Sequence, residues 1–326
     1  MADLTGPRSV VVVLSYQGRH DTLDCVASLV DGSPEHGVLV VDNGSDDGVL
    51  EAVAERWPAV DTLQNGTNLG FAGGMNRGVA RALEHGADVV TVLNNDTVVD
   101  PGAMDVLAGR ARAGAVAVSP LVHYEDAERV WFGGGDVDPF DGLPRHLDDD
   151  GVARLRGPDP TLPYATDLLA GCCITASAAT WRAVGGFDER FFLNFEDSEW
   201  SLRARRAGVR LEVAPAAVVR HAVSASFVGA YSYLGTFYYA RNALLFSRLT
   251  GNGLVRTARL VRHRVVPGVG QAWRAGRAEG LRRALLLAMA VSAHAVRRYG
   301  RAPRWVERAA ARWTTAPPAR PAEVTG

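Results

Sequence analysis

The amino-acid sequence predicts an α/β fold: a mainly parallel sheet flanked by helices, followed by a helical C-terminal extension. Three observations point there. Short β-branched runs alternate with helix-period segments through the first half of the chain, as in consecutive βαβ units. Hydrophobic residues make up 47% of the 326, enough to bury a full core. Beyond about Tyr239 the strand pattern stops and the chain turns alanine- and arginine-rich. The division expected is a body of residues 1–240 and a basic helical extension of residues 241–326.

The strands expected are residues 10–14, 37–41, 59–63, 88–93 and 115–119. Helical periodicity fills the gaps at 20–30, 47–56, 72–84 and 101–111, with Pro101 at a favoured first-turn position. Right-handed crossovers would bring the strand C-termini to one edge, where open α/β sheets bind ligands. From 121 to 164 the periodicity fails and Gly, Pro and Asp accumulate, which predicts a long hairpin or mobile loop. Order returns with a strand at 168–175, helices at 178–184 and 196–207, and a strand at 209–213. In the extension, Leu281, Leu285, Ala288, Ser292 and Ala295 share one helix face opposite Arg283 and Arg297. That pattern fits an interfacial helix on a membrane or a helix packed on the body with its arginines in water.

Composition narrows the setting. Three cysteines, Cys25, Cys172 and Cys173, suit a reduced compartment better than a disulfide framework, and no metal-ligand spacing accompanies them. The first residues lack a basic region followed by an apolar run, so a cytoplasmic location is expected, with peripheral attachment to the inner membrane face as a variant. The apolar stretch 284–296 is 13 residues, too short to span a bilayer. The net charge of −1 conceals a division: 17 Arg and 3 acids lie in 241–326, against 18 Arg and 33 acids before it. Codon bias would have acted on both parts, so the segregation itself carries information.

Candidate chemistry gathers at the predicted sheet edge. Asp42, after the second strand in VVDNGSDDG, suits a ribose hydroxyl or base N–H, although Asp-Asn-Gly-Ser is also an ordinary turn. Asn94, Asn95 and Asp96 end the fourth strand, and Asp96 is the better candidate for Mg²⁺ or Mn²⁺; an Asx turn is the plain alternative. Glu196, Asp197 and Glu199 crowd a helix start, where acids also serve the helix dipole. Phe191, Phe192, Phe195 and Trp200 suggest aromatic walls able to raise a carboxylate pKa. Glu196, Trp200 and Cys172 are candidate substrate contacts. His221 closes the last strand region. A dinucleotide-binding GxGxxG turn and a P-loop are both missing.

Taken in order, VVVLSYQG, VVDNGSDDG, NLGFAGGMNRG, LNNDT, GGFDERFFLNFEDSEWSLRARRAG, VVRH and YYARN resemble the family-2 glycosyltransferases of the GT-A fold, especially the rhamnosyltransferase-like members. The resemblance runs from about Val10 to Asn242 and implies an inverting transfer from a nucleotide-diphosphate sugar. It implies that Asp42 holds the donor nucleoside. It also implies that the Gly70 to Asn76 loop passes the nucleotide, with Gly73 and Gly74 leaving room and Asn68 and Asn95 close by. Asp96 matches the last acid of an Asp-x-Asp metal motif, His221 a further metal contact, and Asp197 the catalytic base. Asn94 departs from the motif's first acid, so weaker cation binding is expected.

Two other readings compete. A nucleotidyltransferase would show a glycine-rich basic loop after the first strand, which SYQGRHDTL is not. A non-enzymatic membrane-surface protein would rest on the basic extension alone. The partners expected are dTDP-rhamnose or a UDP-sugar, an acceptor glycan, lipid-linked or small-molecule, an anionic membrane and a second copy of the chain. The acidic body and the lack of a recognition motif argue against nucleic acid.

Overall fold

Val11, Val12 and Val13 have no exposed surface, so the first strand is covered on both faces and reads as a continuous apolar run, as central parallel strands do. A computed structural model describes residues 9–125, 129–222 and 233–313. In it, β1 (Ser9–Ser15), β2 (Gly37–Asp42), β3 (Asp61–Gln64) and β4 (Val89–Asn94) form the parallel half of a ten-stranded sheet, in the order β3-β2-β1-β4. β5 (Thr97–Val99) follows at once, and β6 (Val116–Tyr124) lies further along. The sheet continues with β11 (Cys173–Ser177), antiparallel to both β4 and β6, and with β12 (Arg210–His221), parallel to β6. The predicted parallel order is therefore broken at β11, and the short β5 also pairs antiparallel, with β12.

Helices α1 (Arg19–Gly32), α2 (Val49–Arg56) and α4 (Ala103–Ala111) pack on one face, sharing a core through Val26, Val53 and Leu107. The other face carries α3 (Gly70–Glu84), α6 (Ala178–Val184) and α7 (Glu196–Arg206), sharing Met75, Trp181 and Ala204. Gly74 and Gly78 allow α3 to lie directly on β1: a Cβ at Gly78 would stand 2.3 Å from Val12 Cγ1, and one at Gly74 2.6 Å from Leu14 Cδ1. Pro101 is not in the first turn of its helix, because Gly102, at φ 77°, reverses the chain before α4 begins at Ala103.

The segment expected as hairpin or loop is more ordered than its composition suggests. It holds β7 (Val130–Phe132), a hairpin of β8 (Gly135–Val137) with β9 (Pro144–His146), α5 (Asp149–Leu155) and β10 (Tyr164–Ala165). Asp148 caps α5 by accepting from Gly151 N at 2.8 Å.

The extension is helical: α8 (Tyr233–Leu249), α9 (Leu254–Leu260), a π-helical turn (Val261–Val265), α10 (Val266–Ala275), α11 (Arg277–Ala295) and α12 (Arg304–Trp313). No helix among the described residues is long and apolar enough to cross a membrane. The expected boundary at 240 falls inside α8, which cannot be divided there. Phe237, Leu245, Leu260, Leu286 and Val306 share a third core that also takes in Phe191 and Phe195 of the body.

Candidate active site

The end of β4 is turned into a site by the strand that follows it. β5 runs back antiparallel along the end of β12, with Thr97 opposite His221, so Asp96 arrives beside a histidine 125 residues away. Ala222 N donates to Asp96 O at 2.9 Å and locks the junction. His221 Nε2 lies 3.0 Å from Asp96 Oδ1, with both side chains about 5–6% exposed. Burial works to raise the Asp96 pKa, but the hydrogen bond and charge of His221 outweigh it and hold the carboxyl below its ordinary value, with the Asn94 amide helping. Asp96 Oδ2 and His221 Nδ1 are buried without a hydrogen-bond partner. Buried polar atoms are seldom left so, which makes this pair a candidate ligand position.

Among the described residues no group of three or more His, Cys, Asp and Glu side chains is placed to hold a metal. The donor types still suit a divalent cation: a carboxylate and an imidazole meet here, and Asp96 Oδ2 remains without a hydrogen-bond partner. The remaining ligands would come from outside the chain.

Asp197 enters from α7. Its Oδ2 accepts from Gly171 N at 2.8 Å and its Oδ1 from Ser198 N at 2.6 Å. A Cβ on Gly171 would stand 3.1 Å from Asp197 Cβ, so that glycine leaves the carboxylate its place. Cys172 is near both acids: burial first, then the nearby charges of Cys173, Asp96 and Asp197, push its thiol well above the ordinary value. Its carbonyl accepts from Asn94 N at 2.9 Å. Glu196, beside Asp197, is buried with Oε2 unpartnered, and burial followed by repulsion from Asp197 raises its pKa well above the usual range.

Other expected residues have structural employment. Asp42 is 2% exposed; its carboxylate accepts from Ser45 N at 3.0 Å and from Gln64 Nε2 at 2.5 Å, so it builds the turn after β2. Asn68 Oδ1 accepts from Gly70 N at 2.8 Å, and Asn43 Nδ2 donates to Gly70 O at 3.0 Å. Asn95 Nδ2 donates to Thr22 Oγ1 at 3.0 Å, tying the β4 turn to α1. Gly70, at φ 78°, faces the Phe192 carbonyl, which accepts from Phe71 N at 2.8 Å. Gly73 lies next to Leu69 and the Glu189 carboxylate, and Gly74 faces Leu14, so the room these two glycines leave is for protein atoms. Asn76 bonds both N and O of Phe187, at 2.7 and 2.9 Å.

Trp200 is not a pocket wall. It is fully buried between Trp181 and Phe187 and donates Nε1 to Gly185 O at 2.8 Å, which corrects its expected substrate contact to a packing role. Phe191 and Phe195 likewise belong to the third core. The aromatic ring that does meet the site is Trp131, edge-on to His221 at 4.5 Å and to His146 at 4.8 Å. His146 lies exposed with Trp131 and Phe132 edge-on to its ring, and Asp197 is near enough for its charge to act on the imidazole. Neither residue carries a sequence signal, since both sit in the aperiodic segment.

Residues 7–233 match the sequence model of the family described as Glycosyltransferase like family 2. The chain is 32% identical over 211 residues to an N-acetylglucosaminyl-diphospho-decaprenol L-rhamnosyltransferase of Mycobacterium tuberculosis (strain ATCC 25618 / H37Rv), covering 56% of this chain and 66% of that protein. It is 31% identical over 211 residues to the galactofuranosyltransferase GlfT1 of Mycolicibacterium smegmatis, covering 61% and 65%. The match thus spans just under two thirds of each relative's length. Among solved structures, GalNAc-T7 with UDP, GalNAc and Mn²⁺ superposes with a TM-score of 0.57 at 18% identity, over 74% of this chain and 51% of that one. The mannosyltransferase PcManGT from Pyrobaculum calidifontis, in complex with GDP-Man and Mn²⁺, gives 0.55 at 17%, over 94% and 86%. At these identities the likeness is one of fold, the GT-A fold.

Proposed function

The chain belongs to the glycosyltransferase-like family 2, and from that premise we propose that it is an inverting, cation-assisted enzyme moving a sugar from a nucleotide-diphosphate donor to an acceptor hydroxyl. The observation that carries this reading is the meeting of Asp96 and His221, with orphaned atoms, close to the Asp197 carboxylate. Asp197 takes the proton of the acceptor hydroxyl as that oxygen attacks the anomeric carbon opposite the leaving diphosphate. A single displacement inverts the centre. Gly171 N and Ser198 N fix the carboxylate, so it need not reorganise during the transfer. Asp96 and His221 would hold Mg²⁺ or Mn²⁺, which supplies positive charge to the departing diphosphate. Asp42 shapes the turn at the nucleoside end, and the Asn68 to Asn76 segment, with Asn95, frames that end of the cleft. Glu196 supports the start of α7 and Cys172 seats the two acids.

The relative named as an L-rhamnosyltransferase favours a deoxyhexose donor such as dTDP-rhamnose and a prenyl-diphosphate-linked acceptor, with UDP-sugars as the competing donors. Three free, buried cysteines suit a cytoplasmic enzyme. The test is donor turnover across purified nucleotide sugars, with and without EDTA. Turnover of one donor, suppressed by EDTA and restored by Mg²⁺ or Mn²⁺, is the expected result. Full turnover in a metal-stripped enzyme would remove the cation from the reading, and no turnover of any donor in the presence of a lipid-linked acceptor would remove the reading itself.

A further inference from the structure

The fourth α-helix of the extension, α11, carries an apolar face outward. Leu281 is 60% and Leu285 47% exposed, and Ala288, Ser292 and Ala295 continue the same open face. Arg283 points inward instead, bonding Glu279 at 2.8 Å and Thr236 of α8 at 2.7 Å. A helix merely packed on the body would bury its apolar face and wet its arginines, and α11 does the reverse with Arg283 while burying only a stripe of Gly280, Leu286, Ala290 and Ala293. The neighbouring helices add to the open surface. Trp273 of α10 packs over Gly280, where a Cβ would stand 2.5 Å from the indole, and remains 45% exposed; Leu254 of α9 is 90% exposed.

Charge decides what covers this surface. Arg256, Arg262, Arg274 and Arg277 lie exposed on the same helices, and none forms an ion pair with a described residue. The extension's acids Glu279 and Glu307 are occupied by Arg283 and Arg301. Two such faces brought together would oppose arginine to arginine, so a second copy is a poor cover. We propose that the outer face of α9 to α11 docks the protein on an anionic lipid bilayer, with Trp273, Leu281 and Leu285 entering the interfacial region and the four arginines meeting the headgroups. This inference does not depend on which sugar is transferred, or on transfer at all.

The test is co-sedimentation of the full chain with vesicles of equimolar phosphatidylglycerol and phosphatidylcholine, beside pure phosphatidylcholine. Binding is expected to the anionic vesicles at ionic strength about 0.1 M and to fall steeply toward about 1 M, where the Debye length shrinks to about 3 Å. Arg256→Gln and Arg274→Gln should each weaken partitioning about fivefold. Leu281→Ser with Leu285→Ser should weaken it about tenfold or more, while thermal melts stay unchanged because both side chains already face solvent. No sedimentation with anionic vesicles at low salt overturns the proposal, as does binding indifferent to the leucine pair. A chain that light scattering shows as a dimer, and that the leucine pair converts to a monomer, also overturns it and makes the face an interface between copies.

Discussion

Asp197→Asn preserves shape and one acceptor oxygen for Gly171 N but removes the proton acceptor, so kcat should fall about 10²- to 10⁴-fold. Donor affinity, measured by calorimetry, should persist because donor contacts are proposed elsewhere. Glu196→Gln should be far milder in kcat, and near-normal kcat in Asp197→Asn beside a dead Glu196→Gln would move the base by one residue. The same Glu196 variant carries a pH signature. The folded state favours the protonated carboxyl, so the stability Glu196 contributes is fully present below its ordinary value of 4.5 and is lost as pH rises through the raised folded value. Glu196→Gln should therefore be more stable than the parent at pH 8 and converge on it below about pH 4.5 in denaturant titrations. Parallel curves across that range would show that the carboxyl ionises freely.

The packing of α3 on the sheet gives a sharper contrast than any single contact. Gly78→Ala would put a methyl 2.3 Å from Val12 Cγ1 and should cost about 1–3 kcal/mol by overpacking. Gly109→Ala, in α4 with nothing within 4 Å, should instead stabilise by about 0.4–1 kcal/mol through the unfolded chain. Urea midpoints decide between them, and equal shifts would deny the close approach of α3. From the sequence alone such glycines cannot be sorted into those that admit a ligand and those that admit a strand. The strands that were legible, β1, β2 and β4, are continuous apolar runs with local pattern. β5 was invisible because its three residues pair only with the far end of β12, and β12 was read short because the bulge between Ala214 and Val218 breaks its pattern. The site shows the same limit. Asp96, Asp197 and His221 stood out as motif residues, whereas the Asp96–His221 distance depends on β5, and Trp131 and His146 depend on pairings of the aperiodic segment. Trp200 was misplaced because helix periodicity cannot distinguish a ring facing a cleft from one facing a core.

At the scale of the molecule, the question is whether the basic extension is a detachable module, as the charge division suggests, or part of the enzyme's body. Its helices share a core with Phe191 and Phe195, the residues on either side of the turn that leads into Glu196 and Asp197. Asn242 Nδ2 donates to Leu193 O at 2.7 Å, and Phe192 stacks on Tyr238 at 5.1 Å, so α8 grips that turn directly. Asn194 and Phe195 hold φ of 70° and 75°, a conformation non-glycine residues keep only when their surroundings impose it. The hairpin of β8 and β9 is tied in as well, through Arg264 with Asp141 at 2.6 Å. Deleting residues 250–326 would uncover Leu245 and Phe246 of α8 and remove Leu260, Leu286 and Val306 from the third core. Each fully buried side chain of that kind is worth about 1.5–3 kcal/mol, against a net stability of about 5–15 kcal/mol for a whole domain. The truncated chain should therefore lose cooperative unfolding or aggregate, and any soluble fraction should lose kcat through the slackened turn before Asp197. A truncated chain that melts within a few degrees of the full one, with kcat intact, would make the extension a separable appendage and confine its role to the lipid surface.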